Sequence, residues 1–167
     1  ALKLHGGGGI VKSGAPLPSG VTGPNQAALE QGFANLEQHI ANVRVHGVPV
    51  VVAVNAFKDD SADELHWVYK RALEAGASAA AVSTHWSDGG QGAEELARAV
   101  VKVAAQGAQF NHLYDVTSPI KEKIETIATT IYGAAGVSFS PQAERDVELA
   151  TRLGFDRLPI CMAKTPL

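Results

Sequence analysis

Two groups of residues, Asn55-Ala56-Phe57 and Ser83-Thr84-His85-Trp86, each follow an apolar run, and Lys164-Thr165 follows a third. The runs are Val48 to Val54, Ala77 to Val82 and Leu158 to Ala163. If they are strands of a parallel sheet, all three groups gather at its carboxyl edge. That is where α/β proteins place ligand crevices and where helix amino ends point. The chemistry that fits such residues is recognition of a planar ring and of an anion. Phe57 and Trp86 offer flat π faces to a heterocycle, while Gly89-Gly90-Gln91-Gly92 would present backbone N–H groups to negative charge. Lys164, emerging from an apolar run, is the lysine expected to face a ligand rather than bulk water. On this reading positions 55, 84 and 164 share one rim. The plainer alternative for the Trp86 segment is a capping turn beside a core tryptophan, and spacing alone favours it. An asparagine ending a strand is likewise more often a turn former than a ligand reader.

Two tempting motifs fail on inspection. Gly6-Gly7-Gly8-Gly9-Ile10-Val11-Lys12-Ser13 nearly matches a phosphate loop, but Val11 stands where a glycine must precede the lysine. Gly14-Ala15-Pro16-Leu17-Pro18 then cannot start the helix whose amino end should meet the phosphates, so the segment reads as a flexible loop. Asn55 with Asp59 resembles the base-reading pattern of GTP-binding proteins, except that Ala56 replaces its lysine and Phe57 follows. His39, His46 and His66 have no carboxylate or cysteine at metal-ligand spacing, which argues against a zinc site. Lys121-Glu122-Lys123 and Glu94-Glu95 read as solvated helix faces.

Composition narrows the function classes. A chain of 167 residues, 46% of them hydrophobic, can bury a core. A net charge of −3 gives no basic field for nucleic acid or anionic lipid. No run approaches the roughly 20 apolar residues of a membrane span. The single cysteine, Cys161, lies between Ile160 and Met162 and reads as a buried thiol in a reducing, cytoplasmic-type setting. Beginning at Ala1, the chain runs into Leu2-Lys3-Leu4-His5, read as the tail of a strand, so it is expected to be part of something longer.

The elements that must position these residues alternate. Residues 6–25 are rich in glycine and proline and read as loop. Leu29, Phe33, Leu36, Ile40 and Val43 mark an amphipathic helix stopped by Gly47. The β-branched run at 48–54 predicts a strand covered on both faces. Ser61-Ala62-Asp63-Glu64 is a capping box opening a helix with Leu65, Val68 and Ala72 inward, closed by Gly76. Alanine-rich 77–82 is taken as strand because its neighbours alternate. A glycine-rich turn then leads to a helix with Leu96, Val100 and Val103 on one face, and 110–116 reads as short and extended. Ser118-Pro119 and Ser140-Pro141 predict helices near 119–132 and 141–153, closed by Gly133 and Gly154. Ile120, Ile124, Ile127 and Ile131 give the first an aliphatic stripe, while Val147 and Leu153 help bury the second. The fold class is α/β, layered, with a mostly parallel sheet flanked by helices.

Taken together, ordered blocks along the whole chain resemble formate–tetrahydrofolate ligase. They are Ala1-Leu2-Lys3-Leu4-His5-Gly6-Gly7, Asn35-Leu36-Glu37-Gln38-His39-Ile40, Val50 to Phe57, Thr84-His85-Trp86 with its glycine turn, Leu113-Tyr114-Asp115, Lys123 to Ala128, Ile131-Tyr132-Gly133, and Leu158 to Thr165. The resemblance implies a partial P-loop NTPase-like ligase fold. Residues 1–24 would belong to a preceding nucleotide-binding domain, and 25–167 would contribute base and folate contacts. It further implies an enzyme that joins formate to tetrahydrofolate with Mg-ATP through formyl phosphate, as a homotetramer stimulated by monovalent cations.

Carried over block by block, Asn55, Ala56 and Phe57 line the base pocket with Ser83, Thr84, Trp86, Gly89 and Gly90. Leu158 and Pro159 form an apolar wall near base or pterin, with Lys164 at the mouth. No catalytic residue and no role for Lys12 is assigned. The true phosphate loop of the family lies upstream of the first block, so this chain alone is expected not to turn over. Two other readings are a non-catalytic nucleotide- or folate-binding module and a GTPase-like switch. Ala56 counts against the switch.

Overall fold

The computed structural model describes residues 1–7, 11 and 14–162. Most of the Gly8–Ser13 stretch, including Lys12, and the Ala163-Lys164-Thr165 block lie outside the described residues. The chain divides into two units, Ala1–Phe110 and Asn111–Leu167.

In chain order the first unit contains α1 (Leu2–His5), α2 (Ser19–Thr22), α3 (Gln26–Arg44), β1 (Val51–Asn55), α4 (Ala62–Glu74), β2 (Ala79–Ser83), α5 (His85–Asp88), a 3-10 turn at Gly89–Ala93 and α6 (Glu94–Ala104). The capping chemistry is local and does what the sequence implies. Asn25 accepts the Ala28 N–H at the start of α3, and Ser61 accepts the Glu64 N–H at the start of α4. Leu29, Phe33 and Ile40 of α3 are buried, and Val43 of the same stripe is 40% exposed. Phe33 meets Trp67 of α4 edge-on at 5.5 Å, with the Arg71 guanidinium 5.3 Å above the Phe33 ring.

β1 and β2 pair in parallel, Val51 opposite Ala79 through Asn55 opposite Ser83, with α4 as the crossover. Leu29, Ile40, Val52, Val54, Val68, Ala72, Ala77 and Ala80 form the core between sheet and helices. The α/β class and parallel pairing therefore hold, in a sheet of two strands among the described residues. Burial in β1 alternates: Val52 and Val54 are buried while Ala53 and Asn55 are exposed. The expected cover on both faces is thus absent from this strand.

Three extended segments expected from sequence are not strands. Leu2-Lys3-Leu4-His5 is a helical turn, because α1 seats its backbone against α3 at glycine contacts. A Cβ on Gly32 would stand 1.9 Å from the Leu2 carbonyl oxygen, and one on Gly6 would stand 1.7 Å from that of Ala28. Residues 110–116 and 158–162 join no sheet among the described residues. Along α6, Val103 is buried whereas Val100 is 46% exposed, so the buried face is rotated from the expected stripe.

The second unit is built on α7 (Ile120–Thr130) and α8 (Pro141–Arg152), followed by a 3-10 turn at Phe155–Arg157. Ser140 caps α8 through the Ala143 N–H, with Pro141 at the first turn. In α7 the N-cap is Pro119 rather than Ser118 and makes no side-chain cap bond. Ile120 and Ile127 are buried, but Leu153 is 59% exposed. Cys161 is exposed rather than a core thiol, since 158–162 runs as irregular chain instead of an inner strand.

Candidate functional site: an aromatic edge on the first unit

The carboxyl ends of β1 and β2 bring Asn55, Ala56, Phe57, Ser83, Thr84 and Trp86 together. The parallel register sets Asn55 beside Ser83, and the Ala56 N–H extends the pairing by donating to the Ser83 carbonyl at 2.9 Å. Beyond this ladder the two chains diverge into loops that carry the rings. Phe57 and Trp86 lie 6.2 Å apart between centroids, tilted by 52°. They are 54% and 74% exposed. Trp86 is therefore not a core residue, contrary to the reading that spacing alone favours. Two large aromatic side chains thus stand in water side by side at this edge.

The glycine turn closes tightly on the end of β2. The Thr84 N–H donates to the Gly92 carbonyl at 3.0 Å, and a Cβ on Gly92 would fall 2.6 Å from the Thr84 carbonyl carbon and oxygen. Only a residue without a side chain permits that approach. Gly89, at φ +59°, ends the single turn of α5, and Gly89 and Gly90 are exposed. Ser83 is buried, and its Oγ lies 3.3 Å from His85 Nδ1.

On the β1 side, the loop carrying Phe57 folds back on itself. The Phe57 N–H donates to Asp60 Oδ2 at 3.0 Å, and the Asp60 N–H donates to the Phe57 carbonyl at 3.0 Å. Behind it sits a polar group that sequence reasoning did not find. Lys3 Nζ donates to Glu64 Oε2 at 3.0 Å and to the Gly23 carbonyl at 3.1 Å, and lies 4.0 Å from Asp60 Oδ1. Glu64 Oε1 accepts the Asn25 N–H at 2.8 Å. Both Lys3 and Glu64 are buried. Burial by itself would raise the Glu64 carboxyl, but the Asn25 N–H, the Lys3 ammonium and the Ser61 hydroxyl outweigh it and hold the group below the usual glutamate value. The capping box flagged Glu64, yet nothing local could show a lysine from 61 positions upstream as its partner.

The remaining expected site residues belong to the second unit. Leu158 and Pro159 line an apolar hollow of about 350 Å³ with Ile120, Val147, Ala150, Phe155 and Ile160. Their segment is pinned from below. The Ile160 N–H donates to the Tyr114 hydroxyl at 2.8 Å, and Lys123 Nζ donates to the carbonyls of Asp156 and Leu158, the latter at 3.1 Å. Lys123 is fully buried, not part of a solvated face. Asp115 is held below the usual aspartate value by the Thr117 N–H, then by the Thr117 hydroxyl, with a further contribution from Lys123. Among the described residues no cluster of three His, Cys, Asp or Glu groups could hold a metal ion.

The family model for formate–tetrahydrofolate ligase matches residues 1–167, the whole chain. The chain belongs to the formate–tetrahydrofolate ligase family. The formate–tetrahydrofolate ligase of Desulforamulus reducens is 52% identical over 100% of the chain, which corresponds to 30% of that protein. The cytoplasmic C-1-tetrahydrofolate synthase of Drosophila melanogaster is 52% identical over 98% of the chain and 17% of its own length. The human cytoplasmic C-1-tetrahydrofolate synthase is 47% identical over 100% of the chain and 18% of its own length. The chain thus spans between 17% and 30% of these relatives.

Proposed function

We propose that this chain contributes the ring-binding edge of an enzyme that ligates formate to tetrahydrofolate. In that reaction formate attacks the γ-phosphorus of ATP, ADP leaves, and formyl phosphate forms. The N10 amine of tetrahydrofolate then attacks the formyl carbon, and phosphate departs with the C–O bond electrons as the C–N bond is made. Two of the three substrates carry planar heterocycles, adenine and pterin. The observation that carries the reading is the exposed Phe57–Trp86 pair at the joint carboxyl edge of β1 and β2. Tilted rings with free faces accept a flat ligand by stacking, while Asn55, Thr84 and the exposed backbone of Gly89 and Gly90 supply polar contacts at its rim.

Leu158 and Pro159 are proposed as the apolar wall and Lys164 as the cation at the mouth. Residues 1–24 are assigned to a preceding nucleotide-binding domain and 25–167 to the base and folate contacts. The fold is read as part of a P-loop NTPase-like ligase. Magnesium would arrive with the nucleotide. The proposal includes a homotetramer, monovalent-cation stimulation and a cytoplasmic location, the last by analogy with the cytoplasmic C-1-tetrahydrofolate synthases of fly and human.

The test is made in the full-length enzyme. Phe57→Ala and Trp86→Ala should each weaken one planar-ring substrate by about tenfold or more, since a stacked ring contributes roughly 1–3 kcal/mol. Unchanged Kd values for both ATP and tetrahydrofolate in both variants would remove the reading. A folded full-length protein that binds these substrates yet yields no 10-formyltetrahydrofolate would favour a binding module instead.

A further inference from the structure

We infer that Asp60, backed by the buried Lys3–Glu64 pair, is the positioning residue that fixes the Phe57 ring at the site. This rests on the proposed ring-binding role of Phe57. Phe57 stands in the loop that follows β1, and its ring is 54% exposed. An exposed ring on an untethered loop would lose affinity to the entropy of ordering it on each binding event. The tether is visible. Asp60 Oδ2 accepts the Phe57 N–H at 3.0 Å, and the return bond from the Asp60 N–H to the Phe57 carbonyl closes the turn. The carboxylate is therefore fixed to the backbone of the residue that carries the ring.

Asp60 is itself held from the other side. Its Oδ1 lies 4.0 Å from Lys3 Nζ, and the next residue, Ser61, caps the rigid helix α4. Lys3 cannot drift, because its ammonium is bonded to Glu64 Oε2 and to the Gly23 carbonyl, and α1 is seated against α3 at Gly32. Glu64 is in turn fixed by the Asn25 N–H and by the Ser61 hydroxyl. Parts of the chain remote in sequence thus converge behind one exposed ring. A buried lysine beside two carboxylates has a structural use in tying helices together. The turn adds a second consequence, because the Asp60 branch of the group ends on the Phe57 N–H.

The experiment uses the full-length enzyme and reads two quantities in each variant: amide exchange at Phe57, and KM against kcat for ATP and for tetrahydrofolate. Asp60→Ala should speed exchange at Phe57. It should also raise KM by about three- to tenfold for the substrate that Phe57→Ala identifies, with kcat within about twofold, because positioning acts on binding. Asp60→Asn keeps an acceptor for the Phe57 N–H and should stay within about twofold of wild type. Lys3→Met should reproduce the Asp60→Ala pattern. If it fails to fold, the Asp60 pair still decides the matter, since Asp60 is at the surface end of the group. Asp60→Ala that leaves Phe57 exchange and both KM values unchanged, while Phe57→Ala raises one, overturns the inference and leaves the ring-binding reading standing. Faster Phe57 exchange in Asp60→Ala, with neither Asp60→Ala nor Phe57→Ala moving either KM, supports the tether and removes the ring-binding reading instead.

Discussion

At the scale of single residues, the consequential groups are those whose charge is buried. Glu64 is the clearest. Its folded carboxyl titrates below the ordinary 4.5, so between the folded and unfolded values the unfolded chain holds the proton and the folded one does not. The resulting stability is fully present above the unfolded value and is lost as pH falls through the folded one. Melting temperature followed from about pH 6 to about pH 3 should therefore show an acid limb that Glu64→Gln flattens. An unchanged limb would place the acid-sensitive group elsewhere. Removing Lys3 alone should be costlier, about 3–5 kcal/mol, because it strands a buried carboxylate. Lys123 poses the converse case, an ammonium satisfied by the carbonyls of Asp156 and Leu158. Lys123→Met would leave those acceptors poorly paired, costing about 1–3 kcal/mol, with faster amide exchange at Ile160 as the local sign.

Among elements, the legible ones were those with local chemistry at their ends. The Asn25, Ser61 and Ser140 caps each stand directly before a helix start, and Gly76 and Gly154 lie two residues and Gly133 three residues past a helix end. Strands fared differently. β1 and β2 were found because β-branched and alanine runs sit between helices, while 158–162 has the same apolar look and pairs with nothing among the described residues. A strand exists only if a partner offers its backbone. Helix α1 is not legible in the sequence, because four residues alternating apolar and polar fit a strand as well as a turn of helix, and close contact with Gly32 decides between them. Gly32→Ala should displace α1 and loosen Lys3, costing about 1–3 kcal/mol as overpacking. Calorimetry would check that cost, and loss of the Glu64-dependent acid limb should accompany it.

On the scale of the whole molecule, the chain carries an aromatic edge in its first unit and an apolar hollow in its second, and it spans 17–30% of its named relatives. The proposed division of labour gives the phosphoryl chemistry to sequence beyond these residues. The 167-residue chain assayed alone should show no formate-dependent ATP consumption, whereas the full-length enzyme should. Formate-dependent ADP release by the isolated chain would refute that division.

What the amino-acid order determined by itself was the family, the positions of the capped helices and the identity of the two rings at the carboxyl edge. These follow from contacts within a few residues, or from ordered blocks that no spacing argument needs to interpret. Only the tertiary structure decided that Trp86 is exposed, that Cys161 is not a core thiol, that Lys123 is buried, and that Lys3 reaches Glu64 behind Phe57. Burial and ion pairing are sums over neighbours distant in the chain, and a charged residue with a long apolar stem looks the same in sequence whether its end meets water or a carbonyl.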